Sequence, residues 1–148
     1  MINITLYQPD IPQNTAAIIR ICACFDINLE IIKPCGYFFD PKKLDRIYLD
    51  YLKNCNLTFY ESYDEFLIKK SQSRLILLTT KSEINYTKFA YKKNDTLIFG
   101  RESAGVPGEI HNNIENKLII KMNKNTRSFN ITSSVAIVAS EALRQISL

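Results

Sequence analysis

The loop at residues 100–107, Gly-Arg-Glu-Ser-Ala-Gly-Val-Pro, has the strongest chemical signature in the chain. The chain contains only four glycines, and three of them, Gly100, Gly105 and Gly108, fall within nine residues. Glycine permits positive φ and close backbone approach, so this concentration favours a ligand-binding loop over a simple turn. The loop lacks the Gly-Lys-Ser/Thr ending of a phosphate-binding loop and the glycine spacing of a dinucleotide fingerprint.

A single arginine lies in an otherwise apolar segment near the N-terminus. Arg20 is the only charged residue between Asp10 and Asp26, and its neighbours are mostly Ala, Ile, Cys and Phe. An arginine in such a segment usually pairs with a bound anion or a carboxylate. An RNA phosphate and a buried salt bridge are therefore two alternatives for Arg20. Asn14 could either cap the same helix or take part in a site.

Basic and small polar residues are concentrated before the C-terminal helix. Lys117, Lys121, Lys124 and Arg127 lie in or next to the segment 122–134, and no acidic residue occurs from 116 to 140. This cluster suits contact with RNA phosphates. The alternative is a capped helix with a solvated approach.

The sequence does not support a metal site or a hydrolase site. Cys22, Cys24, Cys35 and Cys55 lack a Cys-x-x-Cys pair, and the one histidine, His111, is distant from them. No serine or cysteine occurs in a recognisable nucleophile motif with histidine, and His111 is expected on the surface of a short helix.

Length and composition predict one domain over residues 1–148. The net charge of +4 favours the approach of a polyanion but does not identify nucleic acid. The sequence shows no signal-peptide pattern and no uncharged apolar run near the ~18 residues of a membrane span. We therefore expect a cytoplasmic protein that does not enter a membrane.

Strands and helices alternate along the chain. Apolar runs predict strands at residues 2–7, 29–32, 57–60, 75–79, 96–99 and 118–122. Helices are expected after Pro12 and at residues 41–52, 64–70, 108–113 and 132–146. This alternation predicts an α/β fold, a mostly parallel sheet with helices on both faces. Ligands of such sheets bind beyond the carboxyl ends of the strands, where the polar loops lie.

Three ordered motifs resemble the signature motifs of the SPOUT superfamily of methyltransferases. They are Asn14-Thr-x-x-x-x-Arg20, Phe99-Gly-Arg-Glu-Ser-x-Gly-Val-Pro107 and Arg127-Ser-Phe-Asn-Ile-Thr-Ser-Ser-Val-Ala. The chain is similar to the TrmH-like family, and within it to the TrmL type, which methylates the 2′-hydroxyl of the wobble cytidine or uridine 34 of tRNA. The resemblance covers essentially the whole chain.

The resemblance implies a C-terminal deep trefoil knot, which general topology rules would not predict. It also implies a homodimer in which the methyl donor, S-adenosylmethionine (SAM), binds at the knot near the partner chain, and no metal. No separate RNA-binding domain is expected, so the dimer itself would hold the anticodon stem-loop of tRNA.

The resemblance assigns residues to the donor and to RNA. The residues expected around SAM are Leu78, Thr79, Gly100, Glu102, Gly105, Ile120, Met122, Ser128 and Asn130. The residues expected to contact RNA are Arg101, Lys124 and Arg127.

The expected catalytic residues are Arg20, Asn14 and Ser128. Arg20 would act at the ribose hydroxyl, and we favour a role in positioning an adjacent phosphate because arginine is a poor free base. Asn14, Ser128 and Asn130 are alternatives for hydrogen bonding to the hydroxyl or to the donor carboxylate.

The sequence departs from the family pattern in two places. Ala16 and Ala17 occupy positions where many relatives have a glycine, and Lys121 occurs where proline is common. Both differences could alter loop shape, but neither removes a chemical group named above. An rRNA ribose 2′-O-methyltransferase, a non-catalytic knotted RNA-binding module and a generic nucleotide-binding domain are the competing interpretations.

Overall fold

In the computed structural model, six parallel strands form one sheet with helices against both of its faces. The structure describes residues 1–40, 42 and 46–147. The strands are β1 Asn3–Tyr7, β2 Asn28–Ile32, β3 Leu57–Tyr60, β4 Leu75–Leu78, β5 Thr96–Phe99 and β6 Asn116–Leu118. The helices are α1 Pro12–Phe25, α2 Arg46–Lys53, α3 Tyr63–Lys69, α4 Gly108–Asn113 and α5 Ile131–Ile146.

Alternating side chains along each strand build two apolar layers. On one face, Ile4 and Leu6 of β1 belong to the same buried cluster as Ile18 of α1 and Val138 of α5. On the other face, Leu77 and Ile98 belong to a cluster with Phe66 of α3 and Ile110 of α4. This arrangement confirms the predicted α/β fold with helices on both faces.

The strand order β3-β2-β1-β5-β4-β6 places a switch point between β1 and β5. The chain leaves β1 toward β2 on one side, whereas β5 returns to pair with β1 on the other. Leu6 of β1 and Leu78 of β4 both align with Phe99 of β5, so these three strands end side by side. The loops after them therefore open a crevice at the sheet edge where ligands of this fold class bind.

Two predicted elements differ from the structure. The strand expected at 118–122 is instead β6, Asn116–Leu118, because its partner β4 ends at Leu78 opposite Leu118. Ile119 then makes a single bridge with Asn85, and Met122 lies outside any strand. The helix expected at 41–52 is described as α2 from Arg46, and most of its first turn lies outside the described residues.

Two further findings concern the described residues only. No helix in residues 1–40, 42 and 46–147 is long and apolar enough to cross a membrane. Within the same residues, no group of three or more His, Cys, Asp or Glu side chains could hold a metal ion.

Candidate functional site

A cleft of about 510 Å³ lies at the carboxyl ends of the central strands. Its walls come from Ile11 and Asn14 after β1, residues 77–81 at the end of β4, residues 99–106 after β5, and the segment before α5. This volume is in the range of small-molecule and cofactor sites. All nine residues expected around the donor line this one cleft.

The glycine loop, residues 100–105, closes on itself. Arg101 N donates to Gly105 O at 3.1 Å, and Gly105 N donates to Arg101 O at 2.8 Å. Gly105 has a φ of +65°, and a Cβ at Gly100 would lie 2.6 Å from the Gly105 backbone. Both glycines are therefore needed for the shape of the loop.

Glu102 joins the glycine loop to the loop after β1. Its Oε2 accepts from Asp10 N at 2.9 Å, and its Oε1 accepts from Asn14 Nδ2 at 3.4 Å. Burial, together with the neighbouring Asp10, raises the pKa of Glu102. Both carboxyl oxygens of Glu102 thus accept hydrogen bonds from the protein, so Glu102 fixes the relative position of two walls of the cleft.

Asp10 does not line the cleft, but it contacts three residues that do, a role that the sequence motifs do not predict. Ser103 Oγ donates to Asp10 Oδ2, and Arg101 Nη2 lies 3.5 Å from the same oxygen. Hydrogen bonding with Glu102 and with Ser103 lowers the pKa of Asp10 to about 2. A Cβ at Gly36 would lie 2.5 Å from Asp10 Cβ. Gly36 is the one glycine outside residues 100–108, and its presence is the feature of the sequence that could have indicated this close approach.

Asn14 and Asn130 connect the first turn of α1 to the start of α5. Asn130 Nδ2 donates to Asn14 Oδ1 at 3.1 Å, and Thr132 Oγ1 donates to the same oxygen at 3.5 Å. Asn130 Oδ1 accepts from Thr132 N at 2.8 Å and caps α5. The side-chain amides of both asparagines are therefore engaged within the protein.

The segment before α5 presents exposed groups to the cleft. Arg127 and Ser128 line it, whereas Lys124 is exposed but lies off it. Among the described residues, the Ser128 hydroxyl has no hydrogen-bond partner. Ser128 is thus freer to bind a ligand than Asn14 or Asn130.

Arg20 does not line the cleft. It is exposed, and its guanidinium carbon lies 5.0 Å from the ring centroid of Tyr51. Six residues along an α-helix correspond to a rotation of about 240°, so Arg20 and Asn14 lie on different faces of α1. Because Arg20 is exposed and has no ion pair with the described residues, the structure does not support the buried salt bridge considered for it.

Two side chains near the cleft are less exposed than a surface position would be. Lys117 Nζ donates to Ile114 O at 2.6 Å in a half-buried position, so one of its three donors is engaged within the protein. His111 lies on a short helix, as expected, but it is half-buried and lines the cleft. Its Nε2 lies 3.4 Å from Thr79 Oγ1.

The cleft combines apolar walls with a polar, basic mouth. Leu78, Ile120 and Met122 provide apolar surface, Thr79 and Ser128 provide hydroxyls, and exposed cations lie beside the opening. These groups suit a small molecule that carries a nucleoside, with a polyanion approaching from outside. The fold and the cleft thus define a parallel α/β protein with its ligand site at the switch point.

The comparisons identify the family. The model of the SpoU rRNA Methylase family matches residues 1–140, and the chain belongs to this family. This result confirms the membership expected from the three motifs.

Relatives match over nearly their whole length. A tRNA (cytidine(34)-2′-O)-methyltransferase of Escherichia coli strain K12 is 40% identical over 148 residues, covering 99% of this chain and 94% of that protein. The same enzyme of Beijerinckia indica is 38% identical, covering 97% and 91%. A solved structure concerned with the 2-OH methylation of C/U34 on tRNA is 33% identical, with a TM-score of 0.92 and coverage of 98% and 95%.

Proposed function

We propose that this protein is a tRNA 2′-O-methyltransferase that transfers a methyl group from SAM to the wobble cytidine or uridine 34. The observation that carries the proposal is the convergence of all three sequence motifs on one cleft, through Asn14, the glycine loop and Ser128. The names of the E. coli and B. indica relatives support the substrate. We further propose that the protein acts in the cytoplasm.

The residues of the cleft fit SAM. Leu78, Ile120 and Met122 provide surface for the base, and Thr79 and Ser128 provide hydroxyls for its polar groups. The closed glycine loop forms the wall between these groups and the loop after β1. When bound, SAM supplies a methyl group that its sulfonium already activates for transfer.

The chain's own contribution is to align the reactants and to position the RNA phosphate that accepts the proton released from the 2′-hydroxyl. Holding two reactants in register can supply several kcal/mol of a barrier. We assign to Ser128 the hydrogen bond to the ribose 2′-hydroxyl or to the donor carboxylate, because its hydroxyl is unengaged among the described residues. Asn14 and Asn130 hold the cleft in shape through their mutual hydrogen bond.

Arg20 is proposed to act from a second copy of the chain. It is exposed and lies away from its own cleft, stacked on Tyr51. A homodimer that brings α1 of one subunit to the cleft of the other would supply the phosphate-positioning arginine. The C-terminal knot expected for the family remains part of this proposal.

Arg101, Lys124 and Arg127 are proposed to bind the anticodon stem-loop. Arg127 and Lys124 are exposed, and Arg101 lines the cleft beside Asp10. We propose that the phosphates of an RNA strand that enters the cleft contact these cations.

The decisive experiment supplies the purified protein with SAM labelled on the methyl group and with tRNA or ribosomal RNA. We expect label on the 2′-oxygen of nucleotide 34 of tRNA. Arg20→Ala should abolish transfer while S-adenosylhomocysteine binding survives, and Arg144→Ala, an exposed arginine on α5, serves as the matched control. Label on ribosomal RNA instead of tRNA would show that ribosomal RNA is the substrate. Binding of RNA without any binding of the methyl donor would show that the protein is not a methyltransferase.

A further inference from the structure

His111 and Thr79 form a polar pair on the wall of the cleft. Thr79 follows the last residue of β4, and His111, the only histidine in the chain, reaches it from α4. Their side chains lie 3.4 Å apart, from Nε2 to Oγ1, and both line the cleft. Leu78 and Ile120 line the same cleft.

The hydrogen bonds of Thr79 restrict where its proton can point. The Thr79 hydroxyl accepts from Lys81 N at 3.1 Å. A threonine hydroxyl has two acceptor positions and one proton. If His111 Nε2–H donates to the second acceptor position, the hydroxyl proton has no protein acceptor among the described residues and is available to a ligand.

We propose that His111 is a positioning residue that acts through Thr79 on the nucleoside part of the methyl donor. This inference rests on the proposed function. His111 donates to the Thr79 hydroxyl and directs its proton to an acceptor atom of the bound nucleoside. The neighbouring apolar side chains suit a flat base better than the charged methionine part, which favours the nucleoside.

The test measures binding of S-adenosylhomocysteine and of methylthioadenosine, which lacks the amino-acid part, by calorimetry. His111→Leu should weaken both ligands roughly five- to tenfold, the effect of one lost hydrogen bond. His111→Gln retains an N–H donor and should bind within about twofold of the original chain. In a Thr79→Val background, His111→Leu should add little further loss, because the proposed link is already broken.

Several outcomes would overturn the inference. Unchanged binding by a folded His111→Leu variant would do so, as would equal losses in His111→Gln and His111→Leu, which would indicate a packing role. A full His111→Leu effect in the Thr79→Val background would show that His111 acts independently of Thr79. Absence of S-adenosylhomocysteine binding by the unsubstituted chain would refute the proposed function itself, and thermal unfolding of each variant checks that the fold is retained.

Discussion

At the scale of single residues, most polar side chains of the cleft hold the protein together. Glu102 accepts hydrogen bonds from Asp10 and Asn14, and Asn14 accepts from Asn130. Asn14, Ser128 and Asn130 are the alternatives for the hydrogen bond to the ribose hydroxyl. Of these three, only Ser128 has no side-chain hydrogen bond to another described residue. The residues that shape the site and those that contact the ligand are therefore largely different groups.

Asp10 should make stability depend on pH. Its pKa in the folded protein lies below the ordinary value of 3.8, at about 2, so its stabilising contribution is complete above 3.8 and is lost as the pH falls toward 2. Asp10→Asn is expected to lower the free energy of unfolding by about 1 kcal/mol at pH 7, allowing for solvent screening. Urea unfolding from pH 7 to pH 3 measures this, and the difference between the two proteins should shrink in the acid range. The exposed Asp26→Asn is the control, and an equal effect there would contradict the assignment.

Gly100 and Gly108 provide a matched pair. A Cβ at Gly100 would lie 2.6 Å from the Gly105 backbone, whereas nothing lies within 4 Å of one at Gly108. Gly100→Ala should open the glycine loop and weaken S-adenosylhomocysteine binding by at least about tenfold, as expected for a displaced binding loop. Gly108→Ala should bind normally. Calorimetry measures the affinity of both variants for S-adenosylhomocysteine. Equal affinities of Gly100→Ala and Gly108→Ala would mean that the loop tolerates the added methyl group.

At the scale of elements, one side chain joins the first turn of α1 to the start of α5. Asn130 caps α5 with its oxygen and holds Asn14 with its nitrogen. The start of the helix and the position of the N-terminal motif are therefore coupled.

Two substitutions at Asn130 separate these contributions. Asn130→Ala removes both the cap of α5 and the hydrogen bond to Asn14. The lost cap should lower the free energy of unfolding by about 1 kcal/mol. Asn130→Asp retains a capping oxygen, which the helix dipole favours, but cannot donate to Asn14. It should unfold close to the original temperature yet lose methyl transfer. Thermal melts and transfer assays test this, and full activity of Asn130→Asp would show that the contact with Asn14 is dispensable.

At the scale of the whole molecule, the sheet order decides where the motifs meet. The switch point between β1 and β5 brings the loops after β1, β4 and β5 to one edge of the sheet. The same arrangement leaves Arg20 on a face of α1 away from the cleft. The proposed dimer would bring Arg20 of one subunit to the cleft of the other.

Mixing two inactive variants tests whether Arg20 acts between subunits. A heterodimer of Arg20→Ala with Ser128→Ala contains one cleft with an intact Ser128 that faces an intact Arg20 of the other subunit. After random exchange of an equimolar mixture, about half of the dimers are heterodimers with one working cleft each, so transfer activity should return to about a quarter of the original level. Light scattering during gel filtration should show a dimer. A monomeric protein, or mixed dimers without transfer activity, would show that Arg20 does not act at the cleft of the other subunit.

The local pattern of residues was sufficient for the first five strands, most helices and the three motifs. Apolar alternation and the start and stop signals of the elements depend on neighbouring residues, and β3, β5 and α4 have the predicted bounds. Gly100, Glu102, Ser128 and Asn130, which belong to these motifs, line the cleft.

Long-range contacts determine the partners of those residues. The end of β6 depends on where β4 stops, and the close approach of Gly36 to Asp10 joins residues far apart in sequence. The glycine loop takes its shape from the hydrogen bonds between Arg101 and Gly105. His111 lines the cleft because α4 packs beside β4. These outcomes depend on long-range packing, which determines the direction and the partners of a side chain but leaves no local periodicity in the sequence.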